Sequence, residues 1–123
     1  MEDRRLDLQK KMETLLKEVA QVEVELSRAE GAIMGIPHYS VIESRAHELG
    51  RQLSREVQQR QMGETAAAAP RRGKCPGCGL ICQLHEKKRK MTSIDGGFEV
   101  LELSGHCPAC RRDFFPSPGD FGA

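Results

Sequence analysis

The sequence predicts an α+β chain: an N-terminal α-helical hairpin of coiled-coil-like pattern, followed by a small four-cysteine module with one β-hairpin. Three observations predict it. Apolar residues recur at alternating steps of four and three near the N-terminus, an Asp-Gly turn signal separates two strand-like runs, and two Cys-x-x-Cys motifs flank those runs. The expected parts are a helical arm at 1–62, a linker at 63–74, a cysteine module at 75–118 and a disordered tail at 119–123.

The first helix is predicted by a heptad seam of about 25 residues, which has the spacing of a coiled-coil stripe. The seam comprises Leu8, Met12, Leu15, Val19, Val22, Leu26, Ala29 and Ile33. Gly31, Gly35 and Pro37 indicate the end of this helix.

A second helix is expected from Ser40 to about Gln61, stopping at Gly63. Its apolar face comprises Ile42, Ala46, Leu49, Leu53 and Val57. The short Gly/Pro connection favours an antiparallel hairpin with the first helix, although residues 8–57 would also serve a homodimer. Pro70 and Gly73 indicate that regular structure is lost in the linker.

Two strands are predicted after the linker, Leu84 to Ser93 and Phe98 to Ser104. With Asp95-Gly96 as a two-residue loop, Met91 would face Val100 and Arg89 would face Glu102, but the adjacent Gly97 leaves the register open.

The four cysteines of the two motifs are Cys75, Cys78, Cys107 and Cys110, and 28 residues separate the motifs. Two such turns can complete a tetrahedral thiolate shell around Zn²⁺, and with the intervening strands they predict a zinc ribbon. Four protein ligands leave no position for water or substrate, so the predicted zinc is structural. A rubredoxin-like iron site is the less favoured alternative. It is disfavoured by the few aromatic residues and because Gly79 follows the first motif whereas Arg111 follows the second.

Cysteine and histidine can both bind metal, so each of three further residues could replace one of the four cysteines as a ligand. A simpler interpretation is favoured for each. Cys82 is interpreted as a small buried residue just ahead of the first strand. His85 and His106 are interpreted as solvent-facing or as supporting the metal ligands from outside.

Charge is divided along the chain. Residues 1–69 carry 10 Lys or Arg and 12 Asp or Glu, whereas residues 70–123 carry 9 and 6. Clusters of basic side chains in the second part suggest contacts with nucleic-acid phosphates. The candidate DNA-binding residues are Arg71, Arg72, Lys87, Arg89, Arg111 and Arg112. No apolar stretch is long enough to span a bilayer and no signal peptide is evident, so a cytoplasmic location with reduced thiols is expected.

Several strings resemble the N-terminal region of a group of bacterial insertion-sequence transposases. They are Ile-Pro-His-Tyr ending at Tyr39, His47–Arg51, Cys75–Gly79 followed by Cys82, Thr92–Gly96 and His106–Pro116. The resemblance implies a zinc ribbon ahead of an RNase-H-like catalytic domain of the DDE type, and action on the DNA of the element's ends. Only seven residues follow Pro116, so we expect a DNA-targeting fragment without catalytic activity. The alternative is a protein-interaction module or regulator that docks on a full-length transposase through residues 8–57.

Overall fold

The computed structural model describes residues 2–116, which form two compact units divided between Ala46 and His47. Two helices and one antiparallel sheet are present, which confirms the α+β class. The elements are α1 (Glu2–Ala29), α2 (Tyr39–Ala68), β1 (Arg72–Lys74), β2 (Ile81–Ser93), β3 (Gly96–Cys107) and β4 (Arg112–Phe114). The predicted tail at 119–123 lies outside the described residues. None of the helices in residues 2–116 has the length and apolar character needed to cross a membrane.

Helix α1 belongs to the first unit and ends as predicted near Gly31, whose φ is +76°. The amides of Ala32 and Ile33 donate to the carbonyl of Ser27 and close the last turn. Its apolar seam is exposed from Leu8 to Leu26, and Met12 is 58% exposed. Packing of this seam on the second helix stays a prediction, since most of α2 belongs to the second unit.

Helix α2 is longer than predicted, because it passes Gly63 and includes three of the four consecutive alanines that end at Ala69. Alanine has the highest helix propensity, and Ala66 is buried against the sheet, so the helix continues where a linker was expected. At its start, His38 Nδ1 accepts from the amide of Ser40, at 3.2 Å, and caps the first turn.

The sheet has four strands in the order β1-β2-β3-β4, so the prediction of one β-hairpin is corrected. Strand β1 precedes the first cysteine motif and pairs with β2 after it, and β4 follows the second motif and pairs with β3 before it. Each cysteine motif is thus the turn of its own short hairpin. The flanking strands have three residues each, too few to give a periodic signal.

The central hairpin has a different register from the one expected for an Asp95-Gly96 loop. Ser93 pairs with Gly96, and Met91 pairs with Phe98 rather than Val100. The loop is therefore Ile94-Asp95, and Gly96 after it has a φ of +112°, a conformation that favours glycine. The Ser93 hydroxyl fixes this turn by donating to the Gly96 carbonyl at 2.8 Å and accepting from the Asp95 amide. In the strand register, Arg89 is accordingly opposite Val100 and Lys87 is opposite Glu102, although the Arg89 side chain reaches Glu102 diagonally.

The core of the second unit is small and includes cysteines of both motifs. Its buried members are Ala66, Cys75, Cys82, Leu84, Leu103, Cys107 and Phe114. The apolar part of this core is therefore slight for a folded unit.

Candidate metal centre

The first cysteine motif is a tight turn that directs two sulfurs to one side. Gly79 has a φ of +77°, and its amide donates to the Cys75 carbonyl at 2.8 Å. The Gly77 amide points at the Cys75 sulfur at 3.4 Å. Pro76 and the glycines therefore shape a loop in which the Gly77 amide faces the Cys75 sulfur and the Gly79 amide faces the Cys75 carbonyl.

The second motif repeats this geometry with a different residue at its end. The Arg111 amide donates to the Cys107 carbonyl at 2.7 Å, and the Cys110 amide lies 3.4 Å from the Cys107 sulfur. Arg111 has a φ of +56°, the left-handed conformation that Gly79 adopts in the first motif. The difference between Gly79 and Arg111 thus does not distinguish the two turns, and it no longer counts against an iron site.

The two turns bring the four predicted ligands together. Cys75 Sγ is 3.7 Å from Cys110 Sγ, and Cys78 Sγ is 3.5 Å from Cys107 Sγ. All four sulfurs lie within 4.8 Å of one another. A tetrahedral site with metal–sulfur bonds of about 2.3 Å has sulfurs about 3.8 Å apart, so these residues fit a four-thiolate metal site.

The pKa values of Cys107 and Cys110 are shifted in opposite directions. Hydrogen bonding from the Cys110 amide lowers the pKa of Cys107 to about 6. Hydrogen bonding with the Cys78 sulfur raises the pKa of Cys110 to about 12, because a second thiolate beside the first is unfavourable. A bound dication would remove this repulsion, and its binding would displace protons from the cluster.

Other possible ligands are not part of this group of four sulfurs, although Cys82 lies beside Cys107 in the core. Cys82 is buried inside β2, rather than ahead of the strand as predicted, and its sulfur lies 3.5 Å from the Leu80 carbonyl. His106 is exposed and pairs with Asp113 at 2.8 Å, and His85 is exposed on β2. Within residues 2–116, the four motif cysteines form the one group of three or more potential ligands.

The structure separates the predicted DNA-binding residues into two sets. Arg71 pairs with Glu86 at 2.9 Å, and Arg89 pairs with Glu102 at 2.5 Å. Arg89 also lies over the Phe115 ring, 5.0 Å from its centroid. The other four, Arg72, Lys87, Arg111 and Arg112, are exposed and have no salt bridge to any carboxylate in residues 2–116.

Arg112 lies beside the metal cluster rather than on a separate surface. A Cβ atom added to Gly77 would lie 3.2 Å from an Arg112 guanidinium nitrogen and 3.3 Å from Cys110 Sγ. Four thiolates around a dication carry a net charge near −2, which a neighbouring guanidinium offsets. Arg112 is therefore placed to stabilise a metal-bound cluster. The sequence did not predict this role, because Arg112 comes close to the first cysteine motif only in the folded chain.

A second feature that the sequence did not predict is the attachment of the hairpin turn to α2. The Ser54 hydroxyl donates to Asp95 Oδ2 at 2.5 Å, and Arg55 donates to the Asp95 carbonyl at 2.7 Å. The Gln59 amide group donates to the Glu99 carbonyl at 2.7 Å. These polar contacts hold the sheet on α2 within the second unit.

Comparisons with family models, with curated proteins and with solved structures find no match to this chain.

Proposed function

We propose that this chain is a DNA-targeting module of transposase type, in which a structural Zn²⁺ supports a small basic sheet. The close grouping of the sulfurs of Cys75, Cys78, Cys107 and Cys110, all within 4.8 Å of one another, is the observation that carries this proposal. Zinc is the metal that such closed four-thiolate sites most commonly hold.

The proposed role of the metal is to fix the fold. Cys75 and Cys107 are 5% and 0% exposed and belong to the core, so the metal would replace the large apolar core that this unit lacks. Cys78 is exposed and Cys110 is half-buried, which places the cluster near the surface. A site with four protein thiolates has no open coordination position, so we expect no hydrolytic or strand-transfer chemistry at this metal.

The proposed DNA contacts are to phosphates. Arg72, Lys87 and Arg111 are exposed and lack salt bridges within the described residues, so binding a phosphate costs them no existing ion pair. Arg71 and Arg89 already pair with Glu86 and Glu102, so we assign them a smaller share. The net charge of the whole chain is only +1, and the expected affinity is correspondingly weak.

Gel-shift titration of the zinc-loaded chain against terminal-repeat DNA of an insertion sequence tests this function. With about four phosphates neutralised, affinity should fall roughly a hundredfold between 50 and 200 mM salt. We expect the Lys87→Ala and Arg111→Ala variants to bind more weakly. Arg51→Ala removes the same charge from an exposed position on α2 and should bind like the unaltered chain.

The same reactions with Mg²⁺ added report on catalysis, and we expect neither strand cleavage nor joining. Cleavage by a homogeneous preparation, lost on mutation of any carboxylate, would contradict a purely targeting role. Binding that is unaffected by both basic substitutions would remove Lys87 and Arg111 from the proposed contacts.

A protein-interaction module that docks on a full-length transposase is the second candidate. The exposed apolar residues of α2, among them Leu53 at 47% and Val57 at 51%, favour it. If no DNA binding is detected at low salt while the chain retains a transposase through residues 8–57, this second function replaces the first.

A further inference from the structure

Helix α1 presents an apolar stripe that nothing in its own unit covers. Its six central seam residues are Leu8, Met12, Leu15, Val19, Val22 and Leu26, and each is at least 43% exposed. In proteins most of the stability of a helix comes from packing its apolar face, and α1 has 28 residues with this face open. The spacing of the stripe is that of a coiled-coil seam, with Met12, Val19 and Leu26 at a positions and Leu8, Leu15 and Val22 at d positions.

The charges beside the seam have a polarity along the helix. The g positions on one edge are Arg4, Lys11, Glu18 and Glu25. This edge is positive in its N-terminal half and negative in its C-terminal half. Such an edge complements a copy of itself only when the copy runs in the opposite direction.

We propose that α1 pairs with α1 of a second copy of this chain as an antiparallel coiled coil. A parallel pair would place g positions beside the e positions of the partner helix. Glu18 would then face Glu23, and Glu25 would face Glu30. Arg45 of the same chain contacts Glu23 at 2.7 Å and Glu30 at 3.8 Å, which reduces this repulsion but creates no attraction between the helices.

The opposite orientation brings unlike charges together, and the apolar residues select its register. In the favoured register, Lys17 of one helix lies opposite Lys17 of the other. The facing seam pairs are then Leu8 with Leu26, Met12 with Val22, and Leu15 with Val19. Every central seam residue is buried in this register. Lys11 then faces Glu25 at both ends of the pair. These two attractive contacts outnumber the single like-charge contact, in which Glu18 faces the Glu18 of the second copy.

Another antiparallel register, displaced by one heptad, gains further ion pairs but places Val22 opposite Arg5. Each surface ion pair contributes about 0.2–1 kcal/mol, whereas burying a Val or Leu side chain contributes about 1.5–3 kcal/mol, so the alignment about Lys17 is favoured.

This inference goes beyond the proposed function and does not rest on DNA binding. Since both chains continue from the C-terminal end of α1, antiparallel pairing sends the rest of each chain from opposite ends of the helix pair. A bivalent protein of this kind could engage two partners at once.

Sedimentation of the full zinc-loaded chain tests the association. We expect a dimer, and we expect Val19→Asp to convert it to a monomer with lower helix content. Val24→Asp makes the same chemical change at an outward f position that is 48% exposed, and it should remain dimeric. An unaltered chain that is monomeric at high micromolar concentration would overturn the proposal, as would equal dissociation of the two variants.

Cysteine cross-linking tests the orientation, in a Cys82→Ala background with zinc protecting the other thiols. We expect Met12→Cys and Val22→Cys chains, distinguished by a size tag on one of them, to form a mixed disulfide dimer on mild oxidation. Each variant alone should cross-link poorly, because its own cysteines lie far apart along an antiparallel pair. Efficient cross-linking of each single variant alone, without a mixed preference, would establish a parallel pair and overturn the orientation.

Discussion

Arg111 is the one non-glycine residue with a positive φ among residues 2–116, and the second cysteine motif imposes that conformation. The left-handed conformation costs an L-residue with a side chain about 1–2 kcal/mol. The first motif has Gly79 in the same place, so the chain accepts strain at one of two equivalent turns.

Replacing Arg111 with Gly should therefore stabilise the zinc-loaded protein. Relief of strain exceeds the entropy that glycine loses on folding, about 0.5–1 kcal/mol, so we expect a net gain of roughly 0.5–1 kcal/mol. Arg111→Ala removes the same charge but keeps the strain, and it is the matched control. Denaturant unfolding with zinc present measures both. Equal stability of the two variants would show that charge, not backbone conformation, determines the effect.

Position 105 requires a glycine because the core leaves no room for a side chain there, not because of its backbone conformation. A Cβ atom at this position would lie 2.8 Å from both Leu84 Cδ2 and Phe114 Cζ. We expect Gly105→Ala to lower the free energy of unfolding by about 1–3 kcal/mol through overpacking. Gly97→Ala is the control, because its Cβ would have no neighbour nearer than 3.6 Å, the Met91 carbonyl oxygen. A Phe114→Leu change in the Gly105→Ala background should recover part of the loss, and absence of recovery would argue against a steric cause.

At the scale of elements, the sequence predicts what depends on local pattern. The Cys-x-x-Cys motifs locate both turns and all four sulfurs, since each motif is a self-contained structure. Heptad spacing locates α1, and alternation locates the central hairpin. The register of that hairpin was missed by two residues because the tertiary contacts from Ser54 and Arg55 to Asp95 help to fix the turn. The continuation of α2 past Gly63 was missed for a similar reason, since Ala66 packs on the sheet.

The contact between α2 and the hairpin turn can be measured by a double-mutant cycle. We expect Ser54→Ala and Asp95→Ala to show a coupling energy of about 1 kcal/mol in unfolding, as for a partly buried hydrogen bond to a carboxylate. Ser44→Ala lies on the same helix and should show no coupling to Asp95→Ala. Additive effects in the Ser54 cycle would mean that this hydrogen bond contributes nothing to the attachment.

At the scale of the whole molecule, the two units are stabilised by different means. The first unit is nearly all helix and depends on local propensity and on whatever covers its apolar seam. The second has a core that contains two of the four metal ligands. The cysteine motifs and the low aromatic content predict a metal site from the sequence. What packs on the α1 seam could not be predicted, because the heptad spacing fits a second helix of the same chain and a second copy equally well.

Removal of the metal should therefore unfold the sheet and leave most of α1 helical. An apolar core of this size supplies at most about 3–5 kcal/mol, whereas structural zinc contributes an apparent 10–16 kcal/mol in small zinc domains. Circular dichroism with chelator, together with metal analysis, should show one zinc per chain and loss of the strand signal on its removal.

Cys75→Ser should behave like the chelated protein, while Cys82→Ser, which changes a buried cysteine outside the cluster, should keep its zinc. A sheet that stays folded without metal would contradict the structural role, and a red, iron-loaded protein would favour electron transfer over DNA targeting.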